Sequence, residues 1–314
     1  MELNELRIFM AVAEEGSMSR AAERLNYVQS NVTARIHQLE ENLNVSLFYR
    51  KSRGVALTPV GHFFLEYANR ILSLCDEAIN AVQEESGPTG TLTIGAMEAT
   101  AVVHLPPILS SYQSKYPAVD LKLFTGTSEQ MLACLLEYRA DAVFTGCQVD
   151  HPDLSADLML LEELVLAAAK NKSPFGSKER QNILVFRKGC AFRARLEMWL
   201  RESNLLPYRI MEFSSVESIL GCVLAGMGIT FLPRSVFSSG RYDSEIDIYP
   251  LPEKVALLPV SFVKRKDSVK SKALEAFHDE VRLWKEQKPK LSHKRSKRNN
   301  DKNALDRMPR FDLR

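Results

Sequence analysis

The sequence predicts an α/β protein built in series: a small helical head with a hairpin, one long helix, and a larger body of alternating strands and helices. Three observations carry this. Apolar residues recur at three- and four-residue spacing in three short runs before Leu43. The stretch from Pro59 to about Glu85 holds no further proline and no glycine after Gly61. Strand-like and helix-like segments then alternate from Thr91 onward. At 314 residues the chain exceeds one ordinary domain of roughly 100–200 residues. Its 45% hydrophobic and 25% charged content is that of a folded chain rather than a disordered one.

In the head, Leu3, Leu6, Phe9, Met10 and Ala13 form the apolar stripe of a first helix, which Gly16 ends. Ser17 suits the N-cap of a second helix over 19–25, where Ala21 and Ala22 allow close packing on the first. A third helix spans about 29–43, with Val32, Ile36, Leu39 and Leu43 facing inward. On its other face Gln29, Ser30, Asn31, Thr33, Arg35 and His37 gather toward the first half, where a recognition helix meets the major groove. Residues 47–59 read as two short extended stretches around a basic turn with Gly54 at its tip. Arg50, Lys51 and Arg53 place three cations within four positions, suited to phosphates. Thr58 can cap the next helix, with Pro59 at its first position. Each feature alone is common; their order within about 60 residues is that of a winged helix-turn-helix, a DNA-binding unit.

The long helix places Val60, Phe64, Tyr67, Ile71, Leu74, Ala78 and Val82 at spacings of three or four. About 25 helical residues cover nearly 40 Å, and an apolar stripe of that length calls for a partner helix. Residues 85–90, Glu-Ser-Gly-Pro-Thr-Gly, end the helix as a linker.

In the body, a strand over 91–96, a helix near 104–116, a strand near 120–125, a helix over 128–138 and a strand over 142–145 predict a parallel sheet with right-handed crossovers. A second half offers strands near 163–168, 182–186 and 210–213, helices near 192–202 and 216–225, and a glycine turn, Gly226-Met227-Gly228, into a further strand. Residues 255–263 cross back, and 271–285 close the chain as a helix. Two lobes joined by two crossings make a hinged cleft, and ligands in open α/β sheets bind beyond the carboxyl ends of the strands. The candidate binding loops are therefore 98–101 and Gly126, Thr127 and Ser128, the latter at a helix start; capping is the competing role for their hydroxyls.

Net charge is only +2, but residues 285–314 hold eleven Lys and Arg against four Asp and Glu. This basic tail lacks an apolar stripe and is expected to be disordered, either simply solvated or adding non-specific attraction to DNA. Cys75, Cys134, Cys147, Cys190 and Cys222 are scattered without a CxxC pair, so free thiols are expected, with no metal and no cofactor. No apolar run approaches the roughly 18 residues that span a bilayer, and Glu2 and Glu5 stand where a leader would be basic, so a cytoplasmic location is expected.

The strings Phe9-Met10-Ala11-Val12-Ala13-Glu14-Glu15-Gly16-Ser17, Ala21-Ala22-Glu23-Arg24-Leu25 and Gln29-Ser30-Asn31-Val32-Thr33-Ala34-Arg35-Ile36 resemble the LysR-type transcriptional regulator family. So do Leu47-Phe48-Tyr49-Arg50 and Leu57-Thr58-Pro59-Val60-Gly61 in the head, and Gly95-Ala96, Leu105-Pro106 and Ala225-Gly226-Met227-Gly228-Ile229 in the body. The resemblance covers about residues 1–285 and implies a winged helix-turn-helix DNA-binding domain at 1–58 and a dimerisation helix and hinge at 59–89. It implies an effector-binding domain at 90–285 of the periplasmic solute-binding (type II) kind, with lobe 1 about 90–161 and 266–285, lobe 2 about 162–265, and the tail at 286–314 outside it. Ser17, Ser19, Arg20, Gln29, Ser30, Asn31, Thr33, Arg35, His37, Arg50, Arg53 and Pro59 would then contact double-stranded DNA. Pairing of the long helix in a homodimer or homotetramer would demand an inverted-repeat operator. The implied effector positions are Thr100, Thr127, Ser128, Cys190, Ala191 and Phe192. Gly146 stands where some acid-binding members carry arginine, which argues against an aromatic carboxylate. Val28 departs from the Ser or Thr that often caps the recognition helix.

An enzyme is not indicated: no G-x-S-x-G, Walker loop or metal spacing occurs, and Gly226-Met227-Gly228 falls short of the dinucleotide fingerprint. A transport solute-binding protein would share the two lobes but not the N-terminal module. Cys190, beside Arg187, Lys188 and Arg193, is open to two readings, a redox switch or a buried inert thiol; Trp199 stands where a second cysteine would be needed.

Overall fold

A computed structural model describes residues 1–51, 54–83, 87–172, 181–203, 208–238, 240–242, 244–268 and 271–287. Arg53 and the tail beyond 287 lie outside the described residues.

The head packs α1 (Leu3–Glu15), α2 (Met18–Leu25) and α3 (Gln29–Leu43) around one core of Leu6, Phe9, Val12, Ala22, Val32, Ile36 and Leu39. Gly16 ends α1 in the left-handed region at φ 59°. Ser17 caps α2 by accepting the Arg20 amide. Val28, with no side-chain acceptor, leaves α3 without a side-chain cap. Strands β1 (Phe48–Arg50) and β2 (Val55–Leu57) form the antiparallel wing, Phe48 facing Leu57. Thr58 then caps α4 (Pro59–Gln83): its hydroxyl accepts the Gly61 amide at 2.9 Å and donates to the Ser46 carbonyl at 2.8 Å.

The stripe expected along α4 divides in two. Phe64, Ala68, Ile71 and Leu72 pack on the head core, whereas Val60, Phe63, Tyr67, Leu74 and Ile79 are exposed. Val60, Tyr67 and Leu74 stand two turns apart along one edge of the stripe, and Phe64 and Ile71 two turns apart along the other, so one apparent stripe serves two faces.

The first lobe runs β3 (Gly90–Met97), α5 (Glu98–Val103), α6 (Leu105–Lys115), β4 (Val119–Gly126), α7 (Ser128–Leu136) and β5 (Ala142–Thr145). β6 (Leu154–Ala169) carries the chain into the second lobe, which holds β7 (Gln181–Phe186), α8 (Ala191–Glu202), β8 (Tyr208–Phe213), α9 (Val216–Leu224), β9 (Thr230–Pro233), β10 (Ile246–Pro250) and α10 (Glu253–Ala256). β11 (Leu257–Arg265) returns, and α11 (Lys272–Gln287) covers lobe 1 through Phe277, against Tyr112 and Phe144. The Arg70 guanidinium of α4 lies 5.4 Å from the Tyr138 ring, which Arg265 covers at 4.1 Å, joining the long helix to lobe 1.

Four features differ from the expectation. The sheet is mixed rather than parallel: β3 pairs in parallel with β4 and β5, but β6 is antiparallel to β9, β10 and β11, and β11 to β5. The crossing strands run back through both lobes, which strand–helix alternation cannot reveal. β6 begins at Leu154, well before the expected 163, and α5 is a separate helix ahead of α6. Lastly, β11 pairs with β5 from Ser261 to Lys264, so the chain is back in lobe 1 before the boundary expected at 265.

Candidate DNA interface and effector cleft

On the head, Gln29, Ser30 and Asn31 are exposed on the first turn of α3. Ser19 and Arg20 of α2 are exposed as well, and the Ser19 hydroxyl donates to Gln29 Oε1 at 2.9 Å, which brings the two helices' polar faces together. Arg50 and Lys51 stand exposed on the wing, and Pro59 at the start of α4 is exposed too. The other expected contacts are partly committed within the head. Ser17 is the α2 cap, and Thr33 is half-buried with its hydroxyl donating to the Gln29 carbonyl at 2.9 Å. Arg35 lies 3.6 Å from the Glu2 carboxylate, and His37 lies 3.4 Å from Glu41. Three exposed apolar or aromatic side chains were not anticipated at this surface: Tyr27, Val28 and, on the wing, Tyr49. Only Val28, by its failure to cap, carried a sequence signal.

Between the lobes lies a cavity of about 260 Å³. Met97, Glu98, Ala99, Gly126, Thr127 and Gln130 line it from lobe 1; Phe186, Arg187, Cys190, Phe192, Phe213 and Ser214 line it from lobe 2. Of the expected effector positions, Thr127, Cys190 and Phe192 meet there, while Thr100, Ser128 and Ala191 do not line it. Thr100 is buried, and Ala99, one residue earlier, faces the cavity instead. Ser128 is buried behind it, donating to Met97 Sδ at 3.1 Å and accepting the Gly146 amide at 3.2 Å. Thr127 caps α7 in a reciprocal pair with Gln130. The lobes touch beside it: Gly189, at φ 87°, accepts the Glu129 amide at 3.5 Å, and a Cβ there would meet Glu129 Oε2 at 2.7 Å.

Burial pushes the Cys190 thiol up from its usual pKa, outweighing the Phe192 and Arg193 amides and the Arg193 charge that favour thiolate. Trp199 packs on Phe231, 5.3 Å between ring centres. A buried, protonated thiol is the reading this geometry favours.

The larger hollow, about 620 Å³, lies between the head, α4 and lobe 1. Its charged lining is already engaged: Glu14 with Arg24, Lys122 with Asp120, Arg139 with Glu137, and Asp141 with the Thr93 amide. The Glu98 and Arg187 side chains in the interlobe cavity, by contrast, have no ion pair or hydrogen bond among the described residues. Among the described residues no three His, Cys, Asp or Glu are grouped to hold a metal ion, and no helix is long and apolar enough to cross a membrane.

A recognition helix and basic wing on a long helix with an apolar outer face, followed by two lobes around a cavity, define a DNA-binding protein with an attached ligand-binding domain. Residues 3–62 match the family described as bacterial regulatory helix-turn-helix protein, lysR family, and residues 85–284 match the LysR substrate binding domain. The chain belongs to the LysR family of transcriptional regulators, which are not enzymes. It is 43% identical to the HTH-type transcriptional regulator GltR of Bacillus subtilis over 90% of this chain and 96% of that one. It is 42% identical to SoxR of Arthrobacter sp. over 93% of this chain and 100% of the relative. Full-length CbnR complexed with its target DNA superposes at TM-score 0.64 and 26% identity, over 90% of this chain and 100% of that one. Full-length OxyR of Pseudomonas aeruginosa shares the fold at TM-score 0.68 and 23% identity, over 90% of this chain and 95% of that one.

Proposed function

We propose that the chain works in the cytoplasm as a homodimer or homotetramer that grips an inverted-repeat operator with paired heads, its grip adjusted by a small molecule in the interlobe cavity. Gln29, Ser30 and Asn31 read base edges, and Arg50 and Lys51 hold phosphates. The observation that carries this reading is the exposed polar first turn of α3 beside the exposed wing cations, on a helix whose outer apolar face is open to a second copy. CbnR, whose structure was solved with its target DNA, supports the head's role. An effector that binds one cleft state more tightly shifts the population of head arrangements in proportion to that difference.

The test is footprinting on DNA selected from a random pool, with the full chain and a Gln29→Ala/Asn31→Ala variant. We expect symmetric protection by the former and loss of sequence preference in the latter. Undiminished preference in the variant would place the reading surface elsewhere.

A further inference from the structure

We propose that the interlobe cavity recognises a zwitterion, a small molecule with a free ammonium and a free carboxylate such as an α-amino acid, with Glu98 meeting the cation and Arg187 the anion; this rests on the cavity being the effector site. Glu98 and Arg187 are the charged side chains among the described residues that line it. They are opposite in sign, one from each lobe, and neither is paired with another described residue. Arg187 is exposed and Glu98 half-buried, and drawing the lobes together over either charge unpaired would be costly. A simple anion would satisfy Arg187 and shut in Glu98, and a simple amine would do the reverse. A ligand carrying both charges relieves both, and in bridging them it ties lobe to lobe.

The remaining lining agrees. Met97, Phe186, Phe192 and Phe213 offer apolar surface for a side chain, and Thr125 and Ser214 also line the cavity. At about 260 Å³ the space falls below the roughly 300–1,000 Å³ of sites that take drug-sized ligands, which limits the occupant to metabolite size. Position 146 of lobe 1 is a glycine and offers no cation, and Arg187 is the only cation among the described residues lining the cavity, so the anion falls to it.

The test uses the full chain and the twenty L-amino acids one at a time at millimolar concentration, each beside its N-acetyl and carboxamide forms. Binding is read by thermal shift and then by calorimetry. We expect at least one amino acid to bind while its two blocked forms do not. Glu98→Gln and Arg187→Gln should each weaken that binding about ten- to hundred-fold, the worth of a hydrogen bond to a charged group. Ser214→Trp, which fills the exposed rim, should abolish it. No binding by any of the twenty overturns the proposal, as does equal binding of a blocked form. If Ser214→Trp abolishes binding but the two charge variants bind as the unaltered chain does, the zwitterion reading falls and the cavity stands. If none of the three variants changes binding, the cavity itself is the wrong site.

Discussion

The missing cap on the recognition helix is a measurable defect. Val28 sits at the N-cap of α3 with φ −83° and ψ 144°, an extended conformation that serine adopts without strain. Its side chain is 68% exposed, so shortening it sacrifices little packing. The start of α3 is closed only by backbone bonds, the Asn31 and Val32 amides both reaching the Val28 carbonyl at 3.0 and 3.3 Å. Comparing Val28→Ser with Val28→Ala cancels the removal of the valine side chain and leaves the cap alone, about 1 kcal/mol in favour of serine within a range of about 0.5–2. One kcal/mol is about a five-fold change in a local opening equilibrium. Hydrogen exchange in the full chain should therefore show the first-turn amides of α3 exchanging about five-fold more slowly in the serine variant than in the alanine one. Equal exchange would mean that another group already satisfies those amides, and the claim of an uncapped helix would be wrong.

Three further outcomes follow from the geometry. Arg50→Ala removes an exposed wing cation; operator affinity should fall similarly on all sequences, and the slope of log K against log salt should drop by about 0.9 for the single phosphate that is no longer neutralised. A salt slope equal to that of the unaltered chain would take Arg50 off the DNA backbone. Tyr67→Glu puts a charge into the exposed apolar face of α4 and should shift the chain to monomer in light scattering while the head keeps its helical signal; an unchanged mass would move the interface off α4. His278 has its pKa lowered by burial first and then by Arg282 and Lys264, against the pull of Asp157. The unfolded chain thus binds this proton more readily, so stability is complete above the unfolded value of about 6.5 and is lost as pH falls below it. His278→Gln should flatten the fall in unfolding midpoint between about pH 7 and pH 5; an equal fall in both proteins would remove His278 as the cause.

Where local pattern governs, the sequence could be read almost residue by residue. Of the expected stripe Leu3, Leu6, Phe9, Met10 and Ala13, Leu6 and Phe9 are buried, Met10 and Ala13 half-buried and Leu3 exposed, with the buried Val12 outside it, whereas Val32, Ile36 and Leu39 all lie in the head core. The wing was legible because Gly54 and three cations punctuate it, and Thr127 because a hydroxyl at a helix start has a limited set of roles. Thr100, placed by the family resemblance, is buried away from the cavity: α5 begins at Glu98 directly after β3 ends at Met97, so the expected loop 98–101 is helical and Ala99 lines the cavity. Glu98 falls in the expected loop 98–101 and Arg187 beside Cys190, but that the two line one cavity was out of reach, because nothing short of the folded crossings brings their lobes face to face.

The first half of β6 was hidden by its own chemistry. Asp157, Glu162 and Glu163 break the apolar run that a buried crossing strand ought to show. In the folded chain Glu162 is buried against His104 Nε2 at 2.5 Å, and Glu163 meets Arg234 through two hydrogen bonds of 2.7 Å, partners 58 and 71 residues away that no local pattern announces. Successive residues of a strand point to opposite faces, so these two glutamates hold the crossing from both sides, one to the α5–α6 junction of lobe 1 and the other to the 3-10 turn after β9 in lobe 2. A register shift lies next to them, where β11 passes Val260 and Ser261 opposite Leu160 and Leu158. The residues that spoil the strand as a pattern thus tie the crossing strand to both lobes at one point. An effector bridging Glu98 and Arg187 would act across that same point.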